Sequence, residues 1–425
     1  MSDRPYDYLV GIDWAPDAHQ AVIMNPSGEV LAQRAIKHTG AEIASFISGL
    51  LERAGGDADR VAVAIETPRG GLVEMLVERK LHVYYLNPKQ LDRFRDRHSV
   101  AGAKSDELDS YVLADSLRTD LRLFRRVKID EPLIIQLREF SRMRDDLQEE
   151  LGRLANRLRE QVHRFFPQML ELCPAANESW FWALLERIPT PADAKRTRVS
   201  ALSKLLRKHR IRRFSAEELL DRLRVPAVEV AEGTVEAALT HVRILIPRLR
   251  LVQTQLKEND RRIERLLERI GREDDDGEGE KSEHRDVDII LSMPGIGMAT
   301  AATMLGEAAQ ALAARDREAL RKQSGVAPVT RKSGKRTFRV VRRQARNARL
   351  AEAMFHAARV HAQTDPHARQ LYAALRSRGH SHGRALRTIG ERMLRILAAM
   401  LRDGTLYDAA KCRREHPGSA LPAAA

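Results

Sequence analysis

The sequence predicts three regions of different class: an α/β domain with a mixed sheet over residues 1–125, a long α-helical middle over 126–272, and a mostly α, basic domain over 286–410. Three observations lead there. Short β-branched runs alternate with helical stretches up to about residue 120; apolar residues then settle onto a 3-4 repeat with almost no strand signal; beyond an acidic break, Lys and Arg overtake the acids.

The first region opens with Tyr8-Leu9-Val10-Gly11-Ile12-Asp13, then Gln20-Ala21-Val22-Ile23-Met24, a turn at Asn25-Pro26-Ser27-Gly28, and Glu29-Val30-Leu31. That spacing predicts three antiparallel strands joined by short turns. A helix is expected over about 40–54, a buried strand at Val61-Ala62-Val63-Ala64-Ile65, a helix over about 70–80, a strand at His82-Val83-Tyr84-Tyr85-Leu86, and helices from about 88 and 105. A meander followed by alternating strands and helices is the order of the ribonuclease-H-like fold, although periodicity alone leaves other α/β folds open.

In the middle region Leu137, Phe140, Leu147, Leu151, Leu154, Leu158 and Phe165 form one apolar stripe. Leu245, Leu249, Val252, Leu256, Ile263, Leu266 and Ile270 form a second, interrupted by Asn259. Two long amphipathic, coiled-coil-like helices follow, with shorter helices between them split by Pro167, Pro174, Pro189, Pro191 and Pro226. They suit an intramolecular bundle or hairpin equally with a dimerising arm, and in either a buried Asn259 would fix register. The run Glu273-Asp-Asp-Asp-Gly-Glu-Gly-Glu280 has nothing to bury and predicts an exposed linker over 273–285. The tail over 411–425 is expected to fray.

The net charge of +14 is local: residues 286–425 hold 25 Lys/Arg against 11 Asp/Glu, whereas residues 1–285 balance. Such a field draws a polyanion, and with few aromatic anchors nearby the expected partner is nucleic acid and not a membrane surface. No run approaches 18 apolar residues and two cysteines exclude a disulfide framework, so the sequence predicts a cytoplasmic protein.

Four acids stand out. Asp13 ends the first strand, Glu66 ends the Val61–Ile65 strand, and Asp106 and Asp109 lie one helical turn apart. Carboxylates converging from strand ends suit Mg²⁺ or Mn²⁺ and the chemistry of phosphoryl transfer. The plainer reading makes Asp13 a turn cap, Glu66 a loop residue and Asp106 the cap of its helix.

Val10-Gly11-Ile12-Asp13, Ala64-Ile65-Glu66-Thr67, Leu86-Asn87-Pro88 and Ala103-Lys104-Ser105-Asp106-Glu107-Leu108-Asp109 resemble the insertion-sequence DEDD transposases, whose N-terminal domain is similar to the RuvC resolvases. Pro294-Gly295-Ile296-Gly297, Ser324-Gly325-Val326-Ala327-Pro328 and Arg331-Lys332-Ser333-Gly334-Lys335 resemble the C-terminal domain of the same family. The resemblance covers most of 6–120 and 286–405. It departs at Arg69, Ser110, Trp14 and Pro16, none of which is a proposed ligand.

The resemblance implies that Asp13, Glu66, Asp106 and Asp109 bind divalent metal and that Ser333 attacks DNA. It also implies a homo-oligomer, dimer or tetramer, acting on donor and target DNA in the bacterial nucleoid under the guidance of a structured bridge RNA. A serine hydroxyl needs activation; here the metal-bearing domain of the same or another subunit would supply it. Nine Lys/Arg and no acid lie between residues 331 and 349, and Arg331, Lys332, Lys335, Arg336, Arg339, Arg342, Arg343, Arg346 and Arg349, with Lys104, are expected to hold nucleic acid. Without the resemblance Ser333 reads as a turn between two helices. Gly295 and Gly297 are expected to present backbone N–H groups to phosphates from a helix-hairpin-helix-like turn. Two other readings stay open: a structure-specific nuclease using only the acids and water, and a nucleic-acid-binding protein without catalysis.

Overall fold

Strand formation in the N-terminal region follows from burial. A computed structural model of the chain describes residues 6–98, 105–231, 233–273, 286–333 and 336–410, of which 330–333 and 336–340 are described by their backbone alone. The chain divides into two compact units, Met1–Asp130 and Glu131–Ala425.

The first unit contains β1 (Tyr8–Asp13), β2 (Ala18–Met24), β3 (Val30–Lys37), α1 (Gly40–Arg53), β4 (Val61–Ile65), α2 (Gly71–Glu78), β5 (His82–Tyr85), α3 (Pro88–Arg95), α4 (Asp106–Asp120) and the short β6 (Arg125–Arg126). The sheet runs β3-β2-β1-β4-β5-β6. β1, β4 and β5 are parallel, while β2, β3 and β6 each pair antiparallel with a neighbour. Every residue of β4 is buried, as a central parallel strand covered on both faces requires. Ile43, Phe46, Ile47 and Leu50 of α1 fill one face of the sheet with Leu72 and Leu76 of α2. Val112, Leu113 and Leu117 of α4 cover Leu9, Ala62 and Ala64 on the other. This mixed sheet fits the ribonuclease-H-like arrangement.

α4 starts where Ser105 caps it, its side chain accepting from the Leu108 amide, so Asp106 is the first helical residue and not the cap. The helix presses closely on β1. A Cβ added to Gly11 would lie 2.0 Å from the Ser110 carbonyl oxygen and 2.5 Å from the Ala114 nitrogen, so only glycine admits this approach.

The second unit is built on two long helices, α5 (Pro132–His163) and α11 (Thr234–Glu273), separated by α6 (Pro167–Leu172), α7 (Ser179–Arg187), α8 (Pro191–Arg196), α9 (Val199–Lys208) and α10 (Ala216–Leu223). The long pair is an antiparallel hairpin. Leu151, Leu154 and Leu158 pack with Leu245, Leu249, Val252 and Leu256, while Leu133 and Leu137 pack with Ile263, Leu266 and Ile270. Asn259 is buried in the seam, its Nδ2 donating to the Phe140 carbonyl at 2.9 Å, and Arg144 meets Asp260 at 2.8 Å. The far end is closed by the small helices around Trp180, Phe181 and Trp182, all buried.

The near end shares a core with the basic region, which comprises α12 (Asp286–Ser292), α13 (Met298–Ala313), α14 (Arg317–Gln323), β7 (Val329–Ser333), β8 (Arg336–Val341), α15 (Ala348–Thr364), α16 (Pro366–Ser377) and α17 (His382–Asp403). The expected helical middle and basic domain therefore belong to one unit. The β7–β8 hairpin stands where the sequence pattern predicts helices joined by a turn.

Candidate functional site

Topology sets the acids toward one end of one sheet face. The last register pair of the parallel β1–β4 ladder is Ile12 with Ile65, so Asp13 and Glu66 follow one step later at the same end of two adjacent strands. Side chains alternate across a strand, which puts Asp13 on the Gly11 side and Glu66 on the Ala64 side. That is the face α4 covers. Ser110 of α4 touches Gly11, Asp109 precedes it, and Asp106 lies one turn nearer the N-terminus. Asp13 and Glu66 are half-buried, Asp106 is exposed and Asp109 is buried.

The donor set is chemically right for a hard divalent cation, but the side chains as they stand do not close a metal site. Among the described residues no three His, Cys, Asp or Glu side chains gather closely enough to hold a metal ion. Asp109 is instead engaged by Arg95, whose Nε donates to Oδ1 at 2.6 Å while its Nη1 reaches Asp92 at 2.9 Å. The hydrogen bond that Arg95 donates to Asp109 raises the Arg95 pKa. Arg95 was not legible as part of this site.

His19 is a second residue the sequence did not flag. It is fully buried, accepts from the Ala15 amide through Nδ1 at 3.3 Å and faces His38 Nδ1 through Nε2 at 2.9 Å. Its Nδ1 contact fastens the loop that follows Asp13. Burial, with His38 beside it, pushes its pKa down and favours the neutral ring.

In the second unit Ser333 ends β7, in register with Arg336 of β8, and Arg331 stands opposite Arg339. A serine at a hairpin end replaces the expected turn between helices. Lys332 lies between these positions in β7, and Lys104 and Lys335 lie outside the described residues.

Arg342, Arg343, Arg346 and Arg349 do not share a helix face, because residues 342–347 are non-helical and Asn347 caps α15 by accepting from the Leu350 amide. Arg349 is used in packing: it donates to the Ser141 carbonyl at 3.0 Å and pairs with Asp145 at 2.6 Å. Arg346 donates to the Arg343 carbonyl at 3.0 Å, its stem lying where a Cβ on Gly325 would be. Arg343 donates to the Ala345 carbonyl.

Gly295 also has a packing reason to be glycine. Its φ is +94° and an added Cβ would lie 2.5 Å from the Ala357 carbonyl oxygen of α15. Gly297, exposed, leads into α13 without a side-chain cap.

Two transposase family models match the chain: one of DEDD transposases over residues 10–167, and one of the IS116/IS110/IS902 transposase family over residues 287–373. The mini-circle IS117 protein of Streptomyces coelicolor is 31% identical over 414 residues, covering 94% of each chain. The chain belongs to the IS110 family of DEDD transposases. The y4uE protein of Sinorhizobium fredii is 43% identical over 217 residues, a match that spans 51% of this chain and 60% of that one. An IS116 element protein of Streptomyces clavuligerus is 28% identical over 429 residues, covering 96% and 98%. Among the described residues no helix is long and apolar enough to cross a membrane.

Proposed function

We propose that this IS110-family chain is the transposase of an insertion sequence, cutting and rejoining DNA strands with Ser333 as the nucleophile. One observation carries the reading: on a chain matched by transposase models in both units, Asp13 and Glu66 end adjacent parallel strands beneath the helix bearing Asp106 and Asp109. In the step itself the Ser333 oxygen attacks a phosphorus and loses its proton, and the displaced sugar oxygen leaves as a hydroxyl. The protein is then joined to one DNA end through a serine phosphodiester, which a sugar hydroxyl of the recombining strand reverses.

The carboxylates are candidates for Mg²⁺ or Mn²⁺, which would require Arg95 to release Asp109. The cationic hairpin supports donor and target DNA as partners. A homo-oligomer and a bridge RNA that reads sequence by pairing belong to the same proposal, with action in the bacterial cytoplasm at the nucleoid.

Incubation of the full chain with element-end DNA, followed by denaturing electrophoresis, tests it. A protein–DNA adduct is expected from the wild type and none from Ser333→Ala or Asp13→Ala. Cleavage by Ser333→Ala without an adduct would establish a water-using nuclease instead. Sequencing of RNA that copurifies tests the guide.

A further inference from the structure

At the base of the β7–β8 hairpin lies a cavity of about 150 Å³ lined by Gly325, Arg342, Met354, Phe355, Gly383 and Arg387 among others. We propose that this cavity seats a backbone phosphate of the DNA strand that the hairpin engages. The assignment rests on the transposase reading and adds a site to it, with Arg387 lining the cavity and the exposed Arg384 close enough to feel its charge, residues the family motifs did not single out.

Among the described residues the charge arrangement is not neutralised from within. Arg384 and Arg387 stand in the first two turns of α17, a 22-residue helix with no acid in its first turn. Cations there oppose the helix dipole, whose positive end favours anions. Ser381, the cap residue, makes no side-chain hydrogen bond to the first amides. Among the described residues no carboxylate pairs with Arg342, Arg384 or Arg387. The acid one turn further on, Glu391, is taken by Arg321 at 2.5 Å.

Burial and the neighbouring Arg342, Arg384 and Arg346 push the Arg387 guanidinium below its ordinary range. A guanidinium stays protonated all the same, so the shift measures how unfavourable its surroundings are.

Geometry gathers these groups at one place. A Cβ added to Gly383 would lie 3.4 Å from Arg387 Nη1, so the guanidinium reaches back over the first turn of α17. Met354, Phe355 and Leu386 form apolar walls, which strengthen attraction for an anion by excluding water. An oxyanion here would meet guanidinium donors and a helix N-terminus together, the combination that binds phosphate elsewhere. Arg342 directly follows β8, and five steps along that strand, about 17 Å, take the chain from Val341 to Arg336, the register partner of Ser333. A strand gripped at the hairpin base would extend along the hairpin toward the serine.

The experiment compares wild type, Arg387→Gln and the exposed control Arg378→Gln, all as full-length Ser333→Ala protein so that binding is read without chemistry. Fluorescence anisotropy on labelled duplex DNA is measured from low to high salt. For Arg387→Gln the slope of log affinity against log salt should flatten by about 1, with the control nearly unchanged. In thermal melts without nucleic acid, Arg387→Gln should melt at or above the wild type, and inorganic phosphate at fixed ionic strength should raise the wild-type melting temperature more than the variant's.

An unchanged salt slope, or a variant that melts lower and responds equally to phosphate, overturns the pocket. A flattened slope on RNA but not on DNA overturns the choice of strand. If the wild-type chain binds no DNA at any salt, the transposase reading fails; if it binds DNA and only the Arg387 result is negative, the pocket alone fails.

Discussion

Gly11→Ala tests the link between the close β1–α4 contact and the arrangement of the acids. The added methyl would lie 2.0 Å from the Ser110 carbonyl oxygen, 2.5 Å from the Ala114 nitrogen and 2.9 Å from the Leu113 Cβ. Two of the three are backbone atoms, so no rotamer change relieves the clash. To reach an ordinary contact near 3.4 Å the helix must retreat by more than an ångström. Overpacking of this sort costs about 1–3 kcal/mol, and backbone opposition puts this case at the upper end. For a unit of this size that is a fall of about 10 °C in the circular-dichroism melting temperature.

The same retreat carries Asp106 and Asp109 away from Asp13 and Glu66. A misplacement of about 1 Å can cost about 100-fold in rate, so strand transfer should fall further than the folded fraction does. The matched control is Gly49→Ala within α1, where an added Cβ meets nothing within 4 Å and alanine should stabilise the helix by up to about 1 kcal/mol. Gly11→Ala protein with wild-type melting and wild-type activity would refute the argument that α4 is seated by this glycine.

Two predictions concern the second unit. Glu307 has only 7% of its side chain exposed and accepts from Arg142 at 2.9 Å and Asn347 at 2.7 Å. Burial alone would raise its pKa, but these hydrogen bonds outweigh burial and hold it below the usual carboxylate range. Its stabilisation is therefore complete above the unfolded value and lost as pH falls through the depressed folded one. Glu307→Gln should cost about 3–5 kcal/mol at neutral pH and remove this acid limb from a stability–pH profile; a profile parallel to wild type would refute it. Asn259→Leu should raise the melting temperature, because the buried Asn259 Oδ1 has no partner among the described residues and such an orphan costs about 1–3 kcal/mol. A lower melting temperature would mean that the Phe140 bond outweighs the orphan.

Much of the fold was legible because burial imposes a period. The buried run Val61–Ile65 gave a central strand, and both leucine stripes gave the long helices, since each pattern is local and repeats. Their pairing into an antiparallel hairpin was one of two open choices, because an apolar stripe is satisfied equally by its own chain or another. The β7–β8 hairpin was missed for a physical reason: Val329-Thr-Arg-Lys-Ser333 and Arg336-Thr-Phe-Arg-Val-Val341 lack a clean alternation, so what defines them is mutual pairing across the turn.

The site divides along the same line. Asp13 and Glu66 could be placed from sequence because a strand's end follows from where its apolar run stops. The engagement of Asp109 by Arg95 could not, since those residues are fourteen apart and meet through the packing of α3 on α4. The expected arginine row from 342 to 349 assumed a helix running through it. One local signal argues otherwise: Asn347, three residues before Leu350, is a cap residue, and a cap ends the helical period on its N-terminal side. Once the row is broken, Arg349 turns onto α5 toward Asp145, while Arg342 comes near Arg384 and Arg387 of an element some forty residues away. Spacing along the chain identified the cationic region, but which cations lack a counter-charge depends on the carboxylates that packing delivers to each of them, and that is a property of the folded chain alone.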